Sequence, residues 1–226
     1  MIGYLRKVLA IVWKDIVAEL RTKEMFSAMF VFAILTIVVF NFAFDLRVSG
    51  ERVRQVAPGA LWVAFTFAGI LGLNRAFVTE RDQGCLEGLL LAPVDHTAIY
   101  YGKMISTVLF MMVVEALTLP VFTAFFGVNL FDLRLLLVIF LGTVGFAAVG
   151  TLLSAMTAQT RAREVLLPIL LLPVAAPVLI AAVKATAGVL DGLALSEISR
   201  WLQLLLAFDL IFPAVAFMTF DYVVKE

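Results

Sequence analysis

Two carboxylic acids, Glu115 and Asp209, sit inside stretches that are otherwise apolar, "MMVVEALTLP" and "LLLAFDLIFP". A charge at the centre of a membrane helix costs roughly 2.5–3.5 kcal/mol on insertion scales, so neither side chain is expected to face lipid. Two readings stay open. One is a polar path, or a hinge that responds when a partner moves. The other is a protonated carboxyl hydrogen-bonded to a neighbouring helix, with Asn41, Asn74 or Gln203 as partners in range. Cys85 and His96 are the single members of their types. A lone His could bind a metal, but neither residue belongs to a cluster with metal-ligand spacing. His96 reads as a solvated or capping residue and Cys85 as a small packing residue. One cysteine also excludes an intrachain disulfide framework. No nucleophile, base and acid set appears, and no G-x-x-x-x-G-K-S/T phosphate loop. The chain is not expected to be an enzyme, and any ATP it depends on is bound by another chain.

These residues are carried by a strongly apolar chain: 63% hydrophobic and 15% charged, against about 45–50% and 25% in a soluble domain. Runs such as "MFSAMFVFAILTIVVFNFAF" match the roughly 20 residues that cross a bilayer. They are continuous rather than alternating, which selects helices over barrel strands. Six spans are predicted, at roughly 24–45, 56–77, 98–126, 133–157, 164–184 and 200–222, with boundaries good to a few residues. The third is longer than a bilayer requires and should tilt or begin among the headgroups. A "KATAGVLDGLALSEIS" segment is expected to form a surface connection before the sixth. Residues 1–22 differ in kind. Leu5, Val8, Leu9, Val12, Trp13, Ile16 and Leu20 recur at helical spacing, with Arg6, Lys7, Lys14 and Arg21 on the flank, as in an amphipathic helix lying in the interface plane. Glu19 interrupts the apolar stripe. With the N-terminus inside, Arg47, Arg52, Arg54, Arg134, Lys184 and Arg200 fall outside and the other eleven of the 17 Lys and Arg fall on the cytoplasmic side. This bias places both termini in the cytoplasm. The net charge of zero gives no pull toward nucleic acid, and no cleavable signal peptide is evident.

Three further patterns bear on function. Gly142, Gly145 and Gly150 in the fourth span permit close helix contact, within the subunit or between two copies. Pro168, Pro173 and Pro177 in the fifth each remove a backbone donor, giving either a helix that flexes or a fixed kink that shapes the bundle. In the cytoplasmic loop "RDQGCLEGLLLAPVDHTAIYYGK", Leu86, Leu89 and Leu90 follow i, i+3, i+4 spacing beside Glu80, Asp82 and Glu87. Pro93 ends that helix, and Asp95 is placed to N-cap the third span. A short Leu-ridged helix over residues 80–95 suits a partner's groove or a resting place on the headgroups.

"CLEGLLLAPVDHTAIYYGK" resembles the cytoplasmic loop of ABC-2 type permeases, in which a leader of the form L-E-x-L-L-x-x-P precedes "GK" and the third span. Leu86, Glu87, Leu89, Leu90 and Pro93 are the matching positions. More narrowly, the length, "APGALWVA" opening the second span, "RDQGCLEGLLLAP" and the proline-rich "LLPILLLPVAAPVLI" resemble the CcmB family, the B subunits of the cytochrome c maturation (haem exporter) system. The resemblance covers nearly the whole chain, and its specificity lies in the order and spacing of the motifs. It implies an all-α integral membrane protein, a single permease domain over 1–226 in which an interfacial helix precedes six spans. The function implied is a permease subunit in a bacterial inner membrane that couples ATP hydrolysis on a separate ABC ATPase subunit to release or handover of haem outside the cytoplasm. Docking of the ATPase is then expected on residues 80–95, acting as a coupling helix, and on residues 1–22. Other maturation membrane subunits, a haem chaperone and a second copy of the chain are the further partners implied. Haem would be handled by the complex, since no axial His pair or Trp-rich outer loop occurs here; Trp13, Trp62 and Trp201 are scattered. The rival readings are an ABC-2 exporter of a lipid, polysaccharide or drug, and a membrane scaffold that recruits an ATPase without transport.

Overall fold

The computed structural model describes residues 2–44, 50–77, 95–158, 160 and 162–225, with the backbone alone for 2, 50–52 and 221–225. The described residues form seven helices and no strand: α1 (Ile2–Thr22), α2 (Glu24–Ala43), α3 (Gly50–Ala76), α4 (His96–Phe126), α5 (Leu133–Thr157), α6 (Arg163–Leu190) and α7 (Leu195–Lys225). Helices α2 to α7 are long and apolar enough to cross a membrane, so the count of six spans agrees with the sequence reading. Three boundaries do not, the first being the second span, whose helix begins at Gly50 rather than near 56. The fifth span does not end at residue 184: Lys184 is exposed on α6, which continues to Leu190. A lysine there can run its aliphatic stem along the helix and carry its ammonium toward the headgroups. The expected surface connection shrinks to Asp191–Ala194, turned by Gly192 at φ 76°, and α7 begins at Leu195 rather than near 200.

Contacts between helices fix the up-and-down order. Asn41 Nδ2 near the end of α2 donates to the Phe125 carbonyl near the end of α4 at 2.9 Å. Ser154 Oγ late in α5 donates to the Leu73 carbonyl late in α3 at 2.6 Å. The Glu24 carboxylate at the start of α2 pairs with Arg75 at the end of α3 at 2.7 Å. Arg134 at the start of α5 reaches the Leu193 carbonyl just before α7 at 3.2 Å. Each pair joins ends that six alternating crossings bring to one side.

Helix α1 lies at the side where α2 begins and α3 ends. Its apolar face divides in two. Val8, Ile11 and Val12 are buried against the bundle, whereas Leu5, Leu9, Trp13 and Leu20 are 56–68% exposed. At 100° per residue these four form a second stripe beside the buried one, with Arg6, Lys14 and Arg21 beyond it. A helix with bundle, lipid and water sectors is what an interfacial element requires.

The bend from α1 to α2 accounts for Glu19. Lys23 occupies the N-cap position of α2 in the left-handed region (φ 55°) and supplies no side-chain cap. Glu19 does so from the preceding helix, its Oε1 accepting from the Phe26 amide at 2.8 Å, while its own carbonyl accepts from the Lys23 amide at 2.7 Å. The first amides of a helix lack intrahelical partners, and a carboxylate there also meets the positive end of the helix dipole. Glu19→Ala is therefore expected to destabilise the protein by about 1 kcal/mol, the usual cost of a lost N-cap, seen as a lower unfolding midpoint in detergent. Glu19→Gln should recover part of it, and an unchanged midpoint for Glu19→Ala would remove the carboxylate from this role.

Helix α5 is the hub, packing against α3, α4, α6 and α7. Large and small residues alternate along its contact with α3. The Trp62 ring lies on Gly142, so that a Cβ there would overlap it; Phe146 lies on Gly69, where a Cβ would come within 2.6 Å of the ring; Leu73 lies on Gly150. Helices that come this close without a hydrophobic drive between them rely on such complementary surfaces.

Candidate functional site

The five expected docking residues, Leu86, Glu87, Leu89, Leu90 and Pro93, fall outside the described residues. Asp95, at the edge of that stretch, holds the N-cap position of α4 in extended conformation, but its side chain makes no capping bond. The sequence placed the right residue at the boundary and the wrong bond on it.

Both intramembrane carboxyls lie against one short stretch of α5. Glu115 on α4 is buried at 3% exposure; its Oε1 accepts from Thr143 Oγ1 at 2.7 Å, and its Oε2 is buried with no hydrogen-bond partner. Its partner is thus a threonine of α5, not Asn41, Asn74 or Gln203. Asp209 on α7 sits where Gly145 leaves room, since a Cβ on Gly145 would lie 2.8 Å from Asp209 Oδ1. That oxygen also lacks a hydrogen-bond partner. Pro213, inside α7, removes the amide that would bond the Asp209 carbonyl, so a buried carboxyl oxygen and a freed carbonyl belong to one residue. Thr143 and Gly145 point about 200° apart on α5. The two acids therefore flank the hub helix at one depth rather than sharing a site. A second polar bond lies at this level, where Trp62 Nε1 on α3 donates to Thr186 Oγ1 on α6 at 2.9 Å. This belt can hold protons and hydrogen bonds in the membrane interior. It offers no metal cage: among the described residues no group of three His, Cys, Asp or Glu comes together.

Pro168, Pro173 and Pro177 lie within an uninterrupted α6. Pro173 and Pro177 face outward, opposite the face formed by Leu171, Ala175, Val178 and Ala182, and Pro168 is half-buried on the flank of that face. The missing donors remove the helical partners of the Glu164, Ile169 and Pro173 carbonyls. The helix persists because one face stays packed on its neighbours.

A junction that the sequence reading missed lies where α1, α3 and α4 meet. Gly102 on α4 admits Ile11 of α1, whose Cγ2 would lie 2.7 Å from a Cβ. The next residue, Lys103, is 4% exposed. Its ammonium donates to Asp15 Oδ1 of α1 at 3.1 Å and to the Ala76 carbonyl at the end of α3 at 2.8 Å, and lies 5.6 Å from the centre of the Phe77 ring. The C-terminal carbonyls of a helix have no intrahelical donors and carry its negative pole, so an ammonium suits this position. Lys14 pairs with the same Asp15 oxygen at 3.0 Å; partial burial, and then the neighbouring Lys103 charge, hold the Lys14 ammonium below its ordinary pKa. The "GK" pair thus has a physical basis: the glycine makes room for α1 and the lysine fastens it. Read as one more cytoplasmic charge, Lys103 gave no sign of this. The one sequence clue was a lysine well inside an apolar helix.

The family model described as "CcmB protein" matches residues 6–225. The chain belongs to the CcmB family. Among curated relatives, "Heme exporter protein B" of Pseudomonas aeruginosa is 28% identical over 191 residues, covering 84% of each chain. The protein of that name from Rhodobacter capsulatus is 29% identical over 164 residues, 72% of this chain and 75% of its own. That from Escherichia coli K12 is 30% identical over 70 residues, 31% of this chain and 32% of its own. The match to the CcmB family runs from the amphipathic α1 to the end of α7, so the helical order described above is the order of the family region.

Proposed function

We propose that this chain is the permease subunit of an ABC-type haem export complex serving cytochrome c maturation. The observation that carries the reading is the CcmB match over residues 6–225, on a chain with six helices able to cross a membrane. In this reading a separate ATPase docks on residues 80–95 and on α1, and its cycle drives the spans. Handover of haem to a chaperone outside the cytoplasm follows from that movement, alongside other membrane subunits of the system. The chain spans a bacterial inner membrane with both termini cytoplasmic and forms one permease unit, with a second copy as a further partner. Supporting the placement of docking at this side are the two sectors α1 leaves exposed and the gathering of α1, the end of α3 and the start of α4 around Lys103.

The first test is purification of the tagged chain in mild detergent and identification of what accompanies it. An ATPase together with haem-handling membrane proteins is the expected result. An ATPase without any haem-linked partner would instead favour an exporter of lipid, polysaccharide or drug. Leu89→Asp then tests the docking residues: a carboxylate in a Leu ridge that fills a groove should reduce ATPase recovery by about tenfold or more, the scale of an interface hot spot. Undiminished recovery would mean that residues 80–95 are not the handle.

A further inference from the structure

We propose that Lys103 is the positioning residue through which ATPase movement enters the membrane, an inference that rests on the permease reading above. It fastens three elements by bonds of different kinds: Asp15 of α1, the Ala76 carbonyl of α3 and, through its own backbone, the start of α4. The expected handle, residues 80–95, connects in sequence to Phe77, whose ring faces the Lys103 ammonium, and to the start of α4 after Asp95. Lys103 lies roughly 12 Å along α4 from Asp95 and roughly 18 Å before Glu115. The internal proline of α4 is Pro120, beyond Glu115, so the backbone ladder from the junction to that buried carboxyl keeps its donors.

The choice of residue types argues for transmission rather than for stability. A buried ion pair is often no more stabilising than well-packed apolar side chains of similar volume, whereas its directional bonds specify one arrangement. Gly102 brings Ile11 of α1 directly against α4, which already supplies apolar contact. The lysine adds register: it forbids α1 and the end of α3 from sliding against α4 without breaking a charged hydrogen bond away from bulk water. A push at this end therefore moves the three elements as one body and travels along α4 to the Glu115–Thr143 contact with the hub helix.

The experiment uses the full chain co-purified with its ATPase and haem-handling partners and reconstituted in lipid nanodiscs. ATP hydrolysis and holocytochrome c formation are measured together for the wild type, Lys103→Met, Lys103→Arg and Asp15→Ala. Lys103→Met is expected to assemble and hydrolyse ATP within about twofold of wild type, yet to form about tenfold less holocytochrome c per ATP, on the scale by which single residues alter coupling. Lys103→Arg, which can still donate to both partners, should retain most of the yield. Amide hydrogen exchange along α1, measured on the chain alone, should accelerate in Lys103→Met as local opening becomes easier. A wild-type yield per ATP in Lys103→Met would overturn the proposal, as would a loss of yield that only tracks loss of assembly. If Lys103→Met does not accumulate, Asp15→Ala decides, because it removes the acceptor on α1 and leaves the bond to Ala76 in place: a reduced yield per ATP supports the proposal, and an unchanged one overturns it. Failure of the permease reading is separately visible, since the wild type itself would then bring down no ATPase, or an ATPase without haem-handling partners, and would form no holocytochrome c.

Discussion

Gly142→Ala is expected to be among the most damaging single substitutions in the membrane interior, although it adds one methyl group. A Cβ at this position overlaps the far edge of the Trp62 ring. The ring cannot easily retreat, because its Nε1 is bonded to Thr186 of α6 at 2.9 Å and its plane meets Phe65 edge-on at a centroid distance of 5.9 Å. Either α3 and α5 separate, loosening the Phe146–Gly69 and Leu73–Gly150 contacts further along the seam, or the indole turns and its bond is lost. Overpacking of this kind costs about 1–3 kcal/mol, and an indole donor left unpaired in the bundle adds about 1–3 kcal/mol more. The unfolding midpoint in detergent should fall well below that of the wild type. Trp62→Phe placed in the Gly142→Ala background should return part of it, since the shorter ring no longer reaches the new methyl. A Gly142→Ala protein with a wild-type midpoint would contradict the packing described for this seam.

Glu115→Gln is the second large effect, and it falls on activity. The amide keeps the volume of the side chain and retains an oxygen for Thr143 Oγ1, so the chain should still fold and insert, at a cost of up to about 1–3 kcal/mol for an amide nitrogen placed where Oε2 has no partner. What it removes is an acid's ability to change charge. Ionisable groups inside a bundle are costly and mark sites of function by default, and this one holds a buried oxygen without a bonding partner. Holocytochrome c formation is expected to fall about tenfold or more, with the chain still inserted and still recovered with its ATPase, the signature of an interaction needed during the working cycle rather than for assembly. A protein that merely recruits an ATPase would tolerate the exchange. Full activity in Glu115→Gln would therefore favour the scaffold reading and leave the carboxyl a structural bond to Thr143.

The spans were legible because a membrane helix has to announce itself with about 20 apolar residues in succession. Lys184 shows the limit of that signal. A charged residue resembles a terminator in a one-dimensional reading, yet the exposed side of α6 lets it reach outward while the helix runs on to Leu190. The small residues of α5 announced close packing, but the sequence held no information on what would lie against each: Trp62 is 80 positions before Gly142 in numbering and on a helix running the same way. Glu115 and Asp209 were recognised by type and depth, and their partners were not, because the bond from Thr143 and the gap at Gly145 exist only once α4, α5 and α7 are assembled. Lys103 was the costliest omission. Its bonds to Asp15 and Ala76 span 88 and 27 positions, and charge counting along the chain treats a buried fastening and a solvated lysine alike.

The seam between α3 and α5 also sets a timetable for synthesis. The indole N–H of Trp62 has its acceptor, Thr186, 124 positions later, on the fifth helix to cross. When α3 first leaves the insertion machinery, neither the glycine that receives its ring nor the hydroxyl that satisfies its donor has been made. A nascent chain halted before α6 already holds Gly142, which receives the ring, but its indole N–H still lacks the Thr186 acceptor. Completion of the fifth crossing is the moment at which the second becomes a finished part of the bundle.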